Sequence, residues 1–266
     1  MKIDTLISTM RRDDLSFFYK MNIKSGAIII NQFGSVDLVP QGIGLEVVNI
    51  DEKGVSRSRN LAIKKSKADL CILADDDIKY VDNAVNLIKH AHEEYPNADI
   101  IAFIVDRLGD KRGKQFRKEM HWENQFSLFK ISGVEITFKR KNIIDSNLFF
   151  NEDIGPGTSF YQGEDSVFLS DAKRKGLNIL YLPIKIGETD LSESSWFEGY
   201  NEAYFESKGV SFYLMNPKLY PLLYMQFLIR KHDMYKNYTP LQKAFKAMFV
   251  GRKKYLKSSE KNAKKQ

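Results

Sequence analysis

Five short apolar runs pace the first half of the chain: Ile3–Ile7, Ala27–Ile30, Leu45–Ile50, Leu70–Ala74 and Ile100–Val105. Between them lie stretches with helical spacing at Asp14–Met21, Val55–Lys65 and Val81–Glu94, the last stopped by Pro96. Short, nearly continuous apolar strands alternating with helices predict an α/β fold with an open, mostly parallel sheet flanked by helices. Such sheets bind ligands beyond the carboxyl ends of their strands. The residues just after each strand are therefore where chemistry is to be sought.

The second half is less regular. Val134–Lys139 alternates like a strand, and Asn151–Gln162, rich in Gly, Pro and polar residues, reads as a loop. Asp165–Lys175 has helical spacing up to Gly176, and Ile179–Leu182 reads as a strand. From Trp196 onward the pattern is helical, broken at Pro217, Pro221 and Pro240. The expected organisation is one domain over 1–215, in two halves at about 1–106 and about 107–215. After it come a helical basic extension over 216–258 and a disordered tail over 259–266.

Composition narrows the class. The chain has 266 residues, 43% of them hydrophobic, with 18 Phe and 13 Tyr, enough for a substantial core. The formal charge of +7 is uneven: Arg230–Gln266 holds twelve Lys/Arg and two Asp/Glu, leaving the rest at net −3. That asymmetry argues against a nucleic-acid-binding body. The longest apolar run, Tyr220–Ile229, is about half of the roughly 20 residues a membrane-spanning helix needs. No signal-like segment opens the sequence, and the single cysteine, Cys71, lies in an apolar run. The expectation is a cytoplasmic protein with a buried structural thiol.

Three constellations carry candidate chemistry. Asp75-Asp76-Asp77 directly succeeds the run Leu70–Ala74. Adjacent carboxylates repel, and a hard divalent cation such as Mn²⁺ or Mg²⁺ relieves that repulsion while bridging to phosphates; a solvated acidic turn capping the next helix is the equal alternative. Gly54-Val55-Ser56-Arg57-Ser58-Arg59-Asn60 opens a helix, a setting that favours phosphate oxygens, although an ordinary basic helix start has the same composition. Gly163-Glu164-Asp165-Ser166 enters the later helix. A carboxylate there is placed either to take a proton from an attacking hydroxyl or simply to cap the helix.

Taken together, in order and spacing, these segments resemble the family 2-type glycosyltransferases of the GT-A fold, over about Lys2–Pro183. Ser8-Thr9-Met10-Arg11 matches the turn after the first strand, Gly54–Asn60 the Arg-Asn helix start, and Asp75–Asp77 the Asp-x-Asp motif. Gly163-Glu164-Asp165 matches the Gly-Glu-Asp segment. Gly176 and Ile179–Pro183 match the glycine and the proline-ended strand that come after its helix. The resemblance implies that Thr9, Arg11, Gln32, Arg59, Asp75 and Asp76 lie along the nucleotide. It implies Asp77 and Asp75 as metal ligands, and Asp165 as general base with Glu164 beside it. Two departures stand out. Gln32-Phe33-Gly34-Ser35 replaces the usual acidic pair before Gly-Ser, and Glu188 stands near the place of a metal-binding His, where it is an expected oxygen ligand.

The implied reaction is inverting transfer of a sugar from a nucleotide donor, UDP-linked by the resemblance, to a hydroxyl of a glycan, lipid-linked or other acceptor. Rival readings are a sugar nucleotidyltransferase and a catalytically silent glycosyltransferase-like subunit. The former lacks its glycine-rich loop after the first strand, where Met10-Arg11-Arg12-Asp13 stands. At the C-terminus, Leu241, Ala244, Phe245, Met248 and Phe249 fall on one helical face, backed by lysines. That face is expected either to dock the enzyme on an anionic membrane or a membrane-bound partner, or to pack on the protein itself. Gly251 is read there as a helix breaker and Arg252 as a flaw in the apolar stripe.

Overall fold

The computed structural model describes residues 1–36, 44–109, 114–190 and 199–263. In chain order the elements are β1 (Ile3–Met10), α1 (Ser16–Lys20), β2 (Gly26–Gln32), β3 (Leu45–Ile50), α2 (Val55–Lys65), β4 (Leu70–Asp75), β5 (Ile78–Tyr80) and α3 (Ala84–Glu94). Next come β6 (Ile100–Leu108), β7 (His121–Trp122), β8 (Ile136–Lys139), α4 (Arg140–Asp145), α5 (Glu164–Arg174) and β9 (Ile179–Asp190). The last four are α6 (Glu202–Met215), α7 (Tyr220–Arg230), α8 (His232–Tyr235) and α9 (Leu241–Ala263). The chain forms two compact units, Met1–Phe150 with Phe168–Ser194, and Asn151–Val167 with Ser195–Gln266. The second unit thus takes the loop before α5 and all of α6, rather than starting at 216. Helix α9 runs to Ala263, through most of the expected tail; 264–266 lie outside the described residues.

The first unit is built on a sheet of order β3-β2-β1-β4-β8-β6-β9-β5, with β7 added on β9. Six of its strands share one direction; β5, β7 and β8 oppose it. Side chains alternate between two cores. On β4, Leu70, Ile72 and Ala74 join Phe17, Phe18 and Ile88 of α1 and α3, whereas Cys71 and Leu73 join Ile63, Phe138 and Phe168 on the other face. This is period-two alternation in a sheet buried on both sides. The Cys71 thiol is fully buried, and burial pushes it up to about 12, so it is an inert structural thiol. Strand β9 continues past Pro183 to Asp190: its pairing with β6 shifts register between Tyr181 and Gly187 and then resumes, and β5 pairs with it at Gly187–Thr189.

The second unit is a helical assembly. Helices α6 and α9 approach until their backbones touch: a Cβ at Gly209 would lie 2.2 Å from the Met248 carbonyl oxygen, and one at Gly251 2.2 Å from that of Glu206. Ala244, Met248 and Tyr255 are buried with them, and Arg252 lies between the rings of Tyr213 and Tyr220, at 4.7 and 4.8 Å. The C-terminal stripe therefore packs within its own unit. Gly251 is a crossing glycine inside a continuous helix, and Arg252 has an aromatic seat.

Candidate active site

The carboxyl ends of β1, β2 and β4 converge in the first unit. Register sets Ser8 beside Asp75 and Met10 beside Gln32. Gln32 is buried and ties three segments together: its Oε1 accepts from the Gly54 N–H at 2.6 Å, and its Nε2 donates to the Thr9 carbonyl at 3.5 Å. Gly54, at φ 134°, starts α2 without a side-chain cap. The first turn of α2 thus brings backbone donors to this edge, the arrangement that suits phosphate oxygens.

The turn after β1 is held by Asn31, whose Oδ1 accepts from the Arg12 N–H (3.1 Å) and whose Nδ2 donates to the Arg12 carbonyl (2.8 Å). Arg11 adopts φ 56° and is exposed, its N–H donating to the Gln32 carbonyl. Gly34 closes this clasp; a Cβ there would meet the Asn31 amide at 2.2 Å.

The three aspartates are held separately. Asp75 accepts from the buried Arg59 guanidinium at 3.3 Å, and that guanidinium also lies 5.3 Å from the Phe150 ring centre. Asp76 accepts from Arg12 at 2.6 Å and from the Thr9 hydroxyl. Asp77 accepts from the Thr189 hydroxyl at 2.9 Å, across the pairing of Ile78 with Thr189. Lost hydration pushes the Asp77 carboxyl up most. The Thr189 hydroxyl opposes that rise, and the charges of Asp76 and Asp190 add to it.

Glu188 does not join this group. Its carboxylate takes the Lys185 ammonium at 3.1 Å, and Lys185 also holds Asp106 at 2.7 Å. Adjacent strand residues face opposite ways, so the register that brings Thr189 to Asp77 turns Glu188 away. Arg12 and Thr189 are the residues that the sequence did not reveal. The turn motif pointed to Arg11, one position away, and Thr189 becomes visible only once β5 and β9 are paired.

Among the described residues, no cluster of three or more His, Cys, Asp and Glu side chains is placed to hold a metal. The donor set nevertheless suits a hard cation. The Asp77 carboxylate feels the charges of Asp76 and Asp190, and Mg²⁺-type ions are commonly held by one or two carboxylates with substrate phosphates completing the shell.

Glu164 and Asp165 belong to the second unit, in the first turn of α5. Gly163 precedes them at φ 99°, where a Cβ would lie 2.0 Å from the Ser211 Oγ. Ser211 in turn donates to the Gln162 carbonyl at 2.8 Å. Glu164 is buried against Gly155, at φ 102°, where a Cβ would come within 3.0 Å of the Glu164 Cγ. Burial pushes the Lys208 ammonium down, and the charge of Glu164 partly restores it. Asp165 is half-buried. The Asn151–Gln162 loop is folded back on itself by the Ile154–Phe160 bridge, with the Gly155 N–H donating to the Phe160 carbonyl at 2.8 Å.

No protein-family profile matches the sequence, and no curated protein does. Solved structures do match. S. aureus TarS 1-349 in complex with UDP-GlcNAc superimposes with a TM-score of 0.65 at 14% identity, over 90% of this chain and 74% of that one. The mannosyltransferase PcManGT from Pyrobaculum calidifontis, in complex with GDP-Man and Mn²⁺, superimposes with a TM-score of 0.54 at 12% identity, over 94% and 73%. Against the longer TarS structure, the chain spans 43% of that protein. The sheet order, the convergent strand ends and these superpositions give the chain the GT-A-type glycosyltransferase fold.

Proposed function

We propose that this protein is a metal-dependent, inverting glycosyltransferase that moves a sugar from a nucleotide-sugar donor, UDP-linked by preference, to an acceptor hydroxyl in glycan or polysaccharide assembly. The observation that carries this reading is the division of the three aspartates among Arg59, Arg12 with Thr9, and Thr189 at the carboxyl edge of a GT-A sheet. Structures of the same fold were solved with UDP-GlcNAc, with UDP, and with GDP-Man and Mn²⁺, which supports a nucleotide-sugar donor and a divalent cation here.

In this reading the N-terminus of α2 and Arg59 attract the diphosphate, and Asp75 and Asp76 orient the nucleoside. Asp77, with Asp190, would hold Mn²⁺ or Mg²⁺. When bound, that ion supplies positive charge for the departing diphosphate. Asp165 accepts the proton of the acceptor hydroxyl as its oxygen bonds to the anomeric carbon and the bond to the diphosphate breaks. The buried Glu164 fixes the segment from which Asp165 projects. An association with anionic membrane through the basic C-terminal region is part of the proposal, since glycan acceptors of this kind are often lipid-linked.

The test is turnover of a panel of UDP- and GDP-sugars, read as nucleoside diphosphate release, with Mn²⁺, with Mg²⁺ and with chelator. Metal-dependent release from at least one donor is expected. Metal-indifferent turnover, or the absence of any thermal shift with every nucleotide tried, overturns the reading.

A further inference from the structure

The run Tyr220–Ile229, the longest apolar run in the sequence, lies in α7. Its inner side is used: Leu223, Tyr224 and Leu228 are buried, and the Tyr224 hydroxyl donates to the Gly209 carbonyl at 2.7 Å. Its outer side carries large apolar side chains around the exposed Gln226. Leu222, Met225 and Ile229 recur at helical spacing on one stripe and are 66%, 44% and 67% exposed. The segment after it exposes Tyr238 and Leu241 besides. A helix apolar on both sides is normally enclosed by protein or lipid, yet eleven residues reach only about 16 Å. No helix among the described residues is long and apolar enough to cross a membrane.

Charge identifies the occupant. Between Asn216 and Ser259 the chain has ten Lys/Arg and a single acidic residue, Asp233; Lys236 is paired with Asp233 and Lys254 with Glu206 of α6, each at 2.7 Å, which leaves eight cations outside these two pairs. Lys218 precedes α7, Arg230 ends it and Lys231 comes next; Lys218 and Arg230 are exposed. An apolar stripe edged by cations matches an anionic bilayer surface, where acyl chains take the stripe and headgroups take the charges. Pairing with a second copy would bring two lysine-edged faces together, and lysine is depleted in protein–protein interfaces.

We infer that α7 is the membrane-docking element of this protein, lying in the headgroup region of an anionic leaflet with Leu222, Met225 and Ile229 inserted. The docking element is thus α7, and not α9, whose stripe is spent on α6. The inference rests on the peripheral-membrane part of the proposed function and not on its chemistry.

The experiment is co-sedimentation of the full chain with phosphatidylcholine vesicles, with and without about one-third phosphatidylglycerol, at low and high salt. Wild type is compared with Leu222→Gln/Ile229→Gln and with Arg230→Glu/Lys231→Glu, each first checked for unchanged melting temperature; both pairs replace surface positions. Binding to anionic vesicles that falls at least tenfold in the Gln variant, and falls with salt and with charge reversal, is expected. If both variants bind as wild type does, the membrane reading stands but α7 is overturned as its element. If wild type binds no anionic vesicle, both are overturned. A wild-type dimer that the Gln variant dissociates, with no vesicle binding, makes the stripe a self-interface and likewise overturns the inference.

Discussion

Thr189, near the end of β9, donates a 2.9 Å hydrogen bond to Asp77, the residue that turns β4 into β5. The hydroxyl is the main influence lowering an Asp77 carboxyl that lost hydration and neighbouring aspartates raise. It therefore opposes protonation of Asp77 and aims its carboxylate. Thr189→Val keeps the shape and removes the donor. If Asp77 holds the cation, this variant should weaken metal-dependent UDP binding by roughly ten- to a hundredfold, in keeping with a lost charge-assisted hydrogen bond of roughly 1.5–3 kcal/mol. Asp77→Ala should abolish the metal dependence. Calorimetric titration of UDP with and without Mn²⁺ checks both; an unchanged metal-dependent affinity in Asp77→Ala removes Asp77 from the site.

Much of this was legible in the residues. The expected spans Leu45–Ile50 and Val55–Lys65 coincide with β3 and α2, because each is a clean run of one periodicity with punctuation at both ends. Strand β5 was not legible, since three residues between a charged turn and a helix carry too little pattern, and its partner Thr189 lies over a hundred residues away in sequence. The same limit hid Arg12. A motif names a turn, but only the Asn31 clasp decides which of two adjacent arginines faces Asp76. Glu188 misled for the converse reason: chemistry suggested a ligand, and strand alternation gave its place to Thr189.

Asp165 and Glu164 are adjacent, but only Glu164 is buried. If Asp165 is the base, Asp165→Asn should leave donor affinity within about twofold and lower kcat by about 10²–10⁴-fold. Glu164→Gln should instead lower stability, because its buried site is shared with the Lys208 charge. Turnover of Asp165→Asn near the wild-type rate would reduce Asp165 to a helix-start residue.

His92 gives a pH dependence of stability unrelated to catalysis. Its Nε2 lies 2.9 Å from the Thr137 Oγ1, and that hydroxyl donates to the Ile101 carbonyl. Thr137 therefore accepts, the Nε2 carries the proton, and the buried Nδ1 has no partner among the described residues. Burial, then the Lys139 charge, lowers the imidazole to about 3, against an ordinary 6.5. The folded state thus refuses a proton that the unfolded chain accepts. The contribution is complete above pH 6.5 and is lost as pH falls from there toward 3, at up to about 1.4 kcal/mol per pH unit. Urea unfolding at pH 7, 6, 5 and 4 should show a steeper decline for wild type than for His92→Gln, which retains a donor for Thr137 but does not titrate. Parallel declines would contradict the assignment.

Gly251 tests how the second unit is held. A glycine inside a helix normally costs about 1 kcal/mol relative to alanine, so Gly251→Ala should stabilise α9 if propensity alone mattered. The added Cβ would instead lie 2.2 Å from the Glu206 carbonyl oxygen and 2.6 Å from its Cα, both backbone atoms that no rotamer change can move. Helices α6 and α9 would have to separate, loosening Met248, Tyr224 and the Tyr213–Arg252–Tyr220 stack that the close crossing assembles. Overpacking of this kind costs roughly 1–3 kcal/mol, sometimes more, so the steric penalty outweighs the propensity gain. Gly251→Ala should lower the melting temperature of the full chain by several degrees, and Gly209→Ala should do the same from the other side of the crossing. Lys253→Ala, at an exposed position two residues on, serves as control and should change little. A rise in melting temperature for both glycine variants would mean that the helices do not meet backbone to backbone.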